Sequence, residues 1–308
     1  MVAHERIAPQ PCERRSVEVS VVIASFRGRN VLEASIAALT AQCAVHLAEL
    51  IVVRADTPAA IAALQREFPP VRFIAMVPGV GLPALRGAGL AAAAGRHVLL
   101  TEDNCLAEPK WIATMLARAR DEVDVVGGRM DNARTTRALD WGAFFAEYGV
   151  YGAVAAEGER AQLTAANVLY ARRVIPEVSR WMSDGAWENV VHDRLRASGA
   201  LLVTESAARV GLNVTNAFGA FCLERFRHGN DYARGRLSEH SRTNRWLRAV
   251  MTPVLPPLLA WRIARVAGRS PARALAFARA LPFTLSFLGA WAAGEAAGYI
   301  RGPLRTSA

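Results

Sequence analysis

Three consecutive polar residues, Glu102, Asp103 and Asn104, follow an apolar run at 98–100 and precede a segment, 109–111, that opens with proline. A strand that ends in such a turn puts oxygen donors where open α/β sheets bind ligands. Carboxylate and amide oxygens there suit a hard divalent cation and, through it, a diphosphate. The same residue types also favour turns and helix N-caps, so capping is the competing role. A second cluster, ERFRHGNDYARGR at 224–236, brings Arg225, Arg227, His228 and Arg234 within about three helical turns. Arginine pairs bidentately with phosphate oxygens, so this cluster can clamp a diphosphate; its competing role is a solvated basic face. His228 alone is no sign of a metal site, and His4, His46, His97, His192 and His240 show no ligand spacing.

These side chains need a scaffold, and the chain reads as one from Val19 onward. The β-branched run 19–24 leads into the polar turn SFRGRN, and a helix at 31–42 follows with Leu32, Ile36 and Leu39 at helical spacing. Strands are expected at 50–53, 71–74 and 97–100, with helices at 58–68 and 83–94 between them. Both helices open on proline, whose missing donor costs nothing in a first turn. A helix at 109–120 and a strand at 123–126 continue the alternation. Repeated βα units of this length imply a parallel sheet covered by helices. Residues 128–165 break the pattern with glycines and with Trp141, Phe144, Phe145, Tyr148 and Tyr151, which suit either a pocket wall or the core of a peripheral subdomain. A further unit spans 163–235. Its helix-like stretch 187–199 carries Val190, Val191 and Leu195 as an apolar stripe, with Glu188 and His192 one turn apart on another face.

The chain of 308 residues is long enough for one α/β domain with a tail, or for two domains. Its net charge is +10, and Lys110 is its only lysine, so the basic surface is arginine and favours anionic partners. Cys12, Cys43, Cys105 and Cys222 are far apart with no C-x-x-C pair, which argues against a zinc knuckle or disulfide framework and fits a reducing compartment. The first residues, MVAHERIAPQPCERRS, have no apolar core segment, so no secretory signal is expected. The last quarter differs from the rest. Residues 246–261 are apolar with three prolines, 262–279 are strongly basic, and 281–300 are apolar except for Glu295. Flanking arginines with Trp246, Trp261, Trp291 and Tyr299 suit the interface of an anionic membrane; a buried helical hairpin or a dimer interface is the alternative.

From Val19 to about Tyr232 the motifs together resemble the family 2 glycosyltransferases, inverting enzymes of the GT-A fold that use nucleotide sugars. VSVVIASFRGR is similar to the family's first strand and nucleotide-contacting turn, and ELIVVRAD to its second strand. LRGAGLAAAAGRHVLLTEDNCLAEPKW resembles the stretch that ends in the D-x-D motif and the proline-tryptophan segment after it. LTAANVLYARRV resembles a segment whose asparagine lies near the donor, and WENVVHDRLRASG the acceptor-side helix that carries the catalytic base.

The resemblance implies an α/β fold, a mostly parallel GT-A sheet flanked by helices. It gives a transferase domain (18–237, nucleotide half 18–127 and acceptor half 128–237), and the composition of the two ends adds a flexible terminus (1–17) and a helical membrane-associating segment (238–308). It implies Glu188 as base, with Asp193 as the obvious substitute on a different helix face. Ala24, Ser25, Phe26, Arg54, Arg86, Asp103 and Asn167 fall at donor-binding positions, and Arg225, Arg227 and His228 at positions facing diphosphate or acceptor. Glu102, Asp103 and Asn104 would hold Mg or Mn.

Two positions depart from the family pattern. The D-x-D aspartates fall on Glu102 and Asn104, and an amide is a poorer ligand than a carboxylate for a hard cation. The acidic residue expected after the second strand is replaced by Arg54, with Asp56 two residues on. The expected partners are a nucleoside-diphosphate sugar, a glycan or lipid-linked acceptor and an anionic membrane surface, on the cytoplasmic side. A catalytically inactive nucleotide-sugar-binding module of the same fold is the alternative. No G-x-G-x-x-G follows the first strand, which disfavours a dinucleotide oxidoreductase or methyltransferase. The aromatics do not alternate with arginines as stacking platforms would, which disfavours nucleic acid.

Overall fold

β-branched and leucine-rich runs form the centre of an eight-stranded sheet in a computed structural model that describes residues 17–151, 163–237 and 245–302. Residues 1–16, with His4, Cys12 and nearly all of the expected flexible terminus, lie outside the described residues, as do 152–162, 238–244 (with His240) and 303–308. In chain order the first half runs β1 (Val19–Ser25), α1 (Arg29–Val45), β2 (Glu49–Ala55), α2 (Pro58–Glu67), β3 (Val71–Met76), α3 (Leu82–Ala92) and β4 (His97–Glu102). The second half adds β5 (Cys105–Ala107), α4 (Trp111–Arg118), β6 (Val125–Asn132), α5 (Ala138–Tyr148), β7 (Asn167–Ala171), α6 (Ile175–Ser183), α7 (Glu188–Ala197), β8 (Leu202–Leu212) and α8 (Phe218–Leu237). Three helices close the chain: α9 (Arg245–Met251), α10 (Leu255–Ala267) and α11 (Pro271–Arg301).

The strand order is β3-β2-β1-β4-β7-β6-β8-β5. The first four strands pair in parallel, as the βα alternation implies, and every residue of β1 is buried. β7 then runs antiparallel to both β4 and β6, and β5 runs antiparallel to β8. Sequence reading gave neither reversal. The chain leaves β1 towards β2 on one side and returns to β4 on the other, so a crevice opens beyond the ends of β1 and β4. There Ala24 stands beside Glu102 in register, and the Asp103 N–H donates to the Ala24 carbonyl.

Two apolar layers cover the sheet. One packs Leu32, Ile36, Leu39, Trp111, Met115, Phe144 and Phe145 against one face, and the other packs Leu85, Leu90, Val178, Met182, Val191 and Leu195 against the opposite face. The segment at 128–165 is more regular than its composition suggests: Trp141, Phe144, Phe145 and Tyr148 all lie on α5, and the first three stack among themselves. The C-terminal helices extend the same body, since Phe277 of α11 meets Phe145 edge-on and α11 lies along α8 and α5.

Candidate active site

The polar turn after β1 and the polar turn after β4 meet in the crevice, and one carboxylate ties them together. Asp103 Oδ2 accepts from Ser25 Oγ (2.8 Å), the Phe26 N–H (2.8 Å) and the Arg27 N–H (2.7 Å). This explains why β1 ends in a turn: the backbone donors that leave the ladder find Asp103 instead. Arg54, at the end of β2, braces the same turn by donating to Ser25 Oγ and to the Arg27 carbonyl (2.8 Å each), and Asp56 Oδ2 accepts from its Nε (3.0 Å). Asp103 Oδ1 is buried and has no hydrogen-bond partner among the described residues. Burial pushes the Asp103 carboxyl up to about 6, the donors from Arg27 and Ser25 oppose the shift, and the Glu102 charge adds to it.

Beside this turn lies an ion-paired triad. Arg86, in the middle of α3, donates through Nη2 to Glu102 Oε1 and through Nη1 to Glu188 Oε2 (2.9 Å), and its guanidinium stands 5.7 Å from the Trp187 ring. Burial works against this cation, but the two glutamates more than offset it and leave Arg86 held above its ordinary value. Tyr148 Oη, from α5, donates to Glu102 Oε2 (3.1 Å). Glu188 begins α7, as the sequence suggests, but its ion-pair partner is Arg86, while Arg194 lies over the Trp181 ring. Glu188 Oε1 has no hydrogen-bond partner among the described residues. Asp193 pairs with Arg196 on the exposed side of α7 and does not enter the site. His192 is buried against the Tyr170 hydroxyl (2.8 Å), and burial pulls its imidazole down to about 3.

α8 supplies the far wall. Arg27 pairs bidentately with Glu224, Arg225 pairs with Glu147 of α5 (3.2 Å), and the Arg225 guanidinium lies 4.5 Å from the Trp291 ring. His228 sits between Trp187 (4.2 Å between centroids) and Trp291 (4.9 Å). Burial depresses it well below the usual imidazole range, and the cations Arg225, Arg86 and Arg27 add to that shift. Arg227 is exposed on α8.

Ala24, Ser25, Phe26, Arg54, Arg86, Asp103, Glu102, Glu188, Arg225 and His228 therefore line one cleft or brace its walls. Asn167 does not. Its Nδ2 donates to the carbonyls of Arg129 and Ala208 (3.0 Å each) and its Oδ1 accepts from Trp111 Nε1 (2.8 Å), so the amide is spent fastening the irregularity between Gly128 and Arg129 in β6. The expected metal set also contracts. Both Glu102 oxygens are taken by Arg86 and Tyr148, and Asn104 Oδ1 faces the Cys105 thiol (3.3 Å) while the Asn104 carbonyl accepts from the Asn213 N–H. Among the described residues no group of three or more His, Cys, Asp or Glu side chains converges as a metal cage. What fits a cation is the unpartnered Asp103 Oδ1, in the manner of Mg²⁺ sites that take one or two carboxylates and fill the rest with phosphate and water. Sequence reading did not single out Arg27, Glu147 or Glu224, and it named Tyr148 only among the aromatics of 128–165. Arg27 was the most accessible of them, as the first arginine of the turn after the first strand.

The sequence matches the family described as Glycosyl transferase family 2 over residues 20–175, about half of the chain. No curated protein matches it. Among solved structures, the fold is similar to that of the mannosyltransferase PcManGT from Pyrobaculum calidifontis in complex with GDP-Man and Mn2+. The TM-score is 0.56 at 16% identity, over 94% of this chain and 89% of that one. GalNAc-T7 with UDP, GalNAc and Mn2+ aligns with a TM-score of 0.33 at 16% identity, over 39% of this chain and 24% of that one.

Proposed function

Because the chain belongs to the family 2 glycosyltransferases, we propose that it moves a sugar, with inversion, from a nucleoside-diphosphate sugar to a hydroxyl of a lipid-linked or other glycoconjugate acceptor. The observation that carries this reading is the Glu102–Arg86–Glu188 triad beside the turn organised by Asp103, at the crevice between β1 and β4. The nucleotide lies across that crevice, against the turn 25–27 and Arg54. In the transfer step Glu188 Oε1 takes the proton of the acceptor hydroxyl as that oxygen bonds to the anomeric carbon, and the bond from that carbon to the diphosphate oxygen breaks. Arg86 holds Glu188 by its other oxygen, which fixes the direction of the free one. Arg27 and Arg225, paired with Glu224 and Glu147 in the ligand-free chain, exchange those partners for the departing diphosphate and so supply the positive charge that leaving-group stabilisation requires. A divalent cation on Asp103 Oδ1 would neutralise further diphosphate charge when bound. The site of action is the cytoplasmic face of a membrane, an assignment supported by the arginine-rich apolar tail.

A binding module without catalysis is favoured by one observation, the loss of Glu102 to an ion pair. The test measures nucleoside diphosphate binding by thermal shift, with and without Mg²⁺ or Mn²⁺, and sugar transfer by diphosphate release, on wild type, Glu188→Gln and Asp103→Ala. A transferase binds one diphosphate, loses binding in Asp103→Ala, and keeps binding but loses release in Glu188→Gln. Binding without release in wild type identifies the module, and no binding of any diphosphate sinks both readings.

A further inference from the structure

α11 satisfies the length and composition of a membrane-spanning helix, with 22% of its most apolar stretch buried, and one face of it packs on α8 and α5. Gly294 and Gly298 bring it against the backbone of α8 at Phe226 and Asn230, and Gly229 of α8 lies against the Trp291 carbonyl in return. Glu295 is buried and accepts from Trp291 Nε1 (3.0 Å) and Tyr299 Oη (2.8 Å). On the α5 side Phe283 lies against Gly142, and Phe287 meets Phe221 of α8 edge-on. α11 is the spine on which α5 and α8 are mounted.

α11 leaves Leu275, Leu285 and Ile300 exposed, and a denser exposed apolar surface lies at 246–261. Trp246, Leu247, Val250, Met251, Val254, Leu258 and Trp261 are all exposed, from 46% at Leu258 to 73% at Val250. They recur at steps of one, three and four residues through α9, the 3-10 turn Thr252–Val254 and α10, which follow one another as consecutive helical turns, so they form a helical stripe. Ala260, Ile263 and Ala267 of α10 are the buried side. The usual polarity of a surface helix is thus inverted, with small residues inward and indoles and large aliphatics outward. Charge selects the occupant. Residues 245–302 contain eight arginines and one acidic residue, the buried Glu295. Large apolar side chains flanked by arginine and tryptophan match the boundary between headgroups and acyl chains in an anionic leaflet.

We propose that the α9–α10 stripe lies in the plane of one anionic leaflet and docks the protein there without any helix crossing. The inference rests on the membrane-associated reading above and narrows it to one surface and one mode. The experiment sediments the full chain with vesicles of phosphatidylcholine, alone or mixed with phosphatidylglycerol, for wild type, Val250→Glu/Leu258→Glu and Leu285→Glu, the last on an exposed position of α11. Thermal unfolding and nucleoside diphosphate binding are measured on the same preparations. The expected result is wild-type binding to the mixed vesicles that weakens with salt and is reversed by alkaline carbonate. The double variant should lose about tenfold or more in partitioning, while Leu285→Glu and the diphosphate affinity stay unchanged. Full binding by the double variant, loss of binding in Leu285→Glu, or retention of wild type after carbonate overturns the inference. Wild type that self-associates through the stripe and ignores vesicles overturns it in favour of a second copy, and wild type that binds no vesicle removes the membrane reading as well. Diphosphate binding reports on the transferase reading independently of all these outcomes.

Discussion

The wall of the cleft built on β1, β2 and β4, proposed above for the donor and called the donor wall, and the wall built on α5, α7 and α8, proposed for the acceptor and called the acceptor wall, meet at Arg86 but are held differently. On the donor side a single carboxylate, Asp103, gathers two backbone N–H groups and one hydroxyl from the neighbouring strand end. Sheet pairing fixes both partners before any side chain chooses a rotamer. On the acceptor side the ties run between long side chains on separate elements: Arg86 to Glu188, Arg27 to Glu224 and Arg225 to Glu147. Such ties depend on helix packing and on every partner remaining charged. The donor wall is therefore the rigid one, and the acceptor wall is the one whose pairs an incoming diphosphate can exchange.

The comparison breaks most visibly at Glu188. Glu188→Gln keeps the shape of the acceptor wall and removes the carboxylate proposed to take the acceptor proton, so kcat should fall by about 10²- to 10⁴-fold with diphosphate affinity little changed and a lower melting temperature, because buried Arg86 loses one of its two carboxylates. A fall of less than about tenfold would disqualify Glu188 as the base. Arg86→Met acts on the junction of the two walls. It strands the buried Glu102 and the half-buried Glu188, and should cost about 3–5 kcal/mol in denaturant unfolding. Adding Glu102→Gln should recover part of that loss, because only one stranded charge then remains.

Titration sharpens the contrast. The folded Asp103 carboxyl is raised from its ordinary 3.8 to about 6, so between those values the folded chain holds a proton that the unfolded chain has lost. Asp103 therefore contributes stability that is present below about pH 4 and is lost as pH rises through about 6, with a slope approaching about 1.4 kcal/mol per pH unit. Unfolding free energies of ligand-free wild type and Asp103→Asn across this window should show the slope in the first and not in the second. At the rim the effects shrink. Glu224→Gln removes the partly exposed partner of Arg27 and should cost about 1 kcal/mol or less, a difference that added salt diminishes. A larger, salt-insensitive loss would mean that the acceptor wall is as rigid as the donor wall.

The donor wall was also the legible one. VSVVIA, LIVV and HVLL are short buried runs bounded by turns, and each gave a strand close to its observed position because parallel central strands carry no competing helical period. TEDN was legible as a site, but its internal division of labour was not. Which of Glu102 and Asp103 keeps a free oxygen depends on Arg86 and Tyr148, which lie 16 and 46 residues away from Glu102. The acceptor half was harder to read. NVLYA in β7 is buried on both faces, so it shows no alternation, and its antiparallel direction is set by the chain path rather than by its residues. α5 was present in the sequence as Trp141, Phe144, Phe145 and Tyr148, a helical spacing hidden among glycines. Asn167 shows the limit of reasoning by resemblance: the resemblance implies a donor contact there, but in the structure its amide bonds to Trp111, Arg129 and Ala208.

The glycines between α8 and α11 make the chemistry hostage to a distant seam. A side chain at Gly294 or Gly298 would collide with the backbone of α8 at Phe226 or Asn230, and α8 carries Glu224, Arg225 and His228. No smaller change of residue exists than one methyl group, so at these positions ordinary genetic drift has no gentle first step. A variant found there in a population would read as a surface-helix change in an alignment, yet it would shift the cleft from behind.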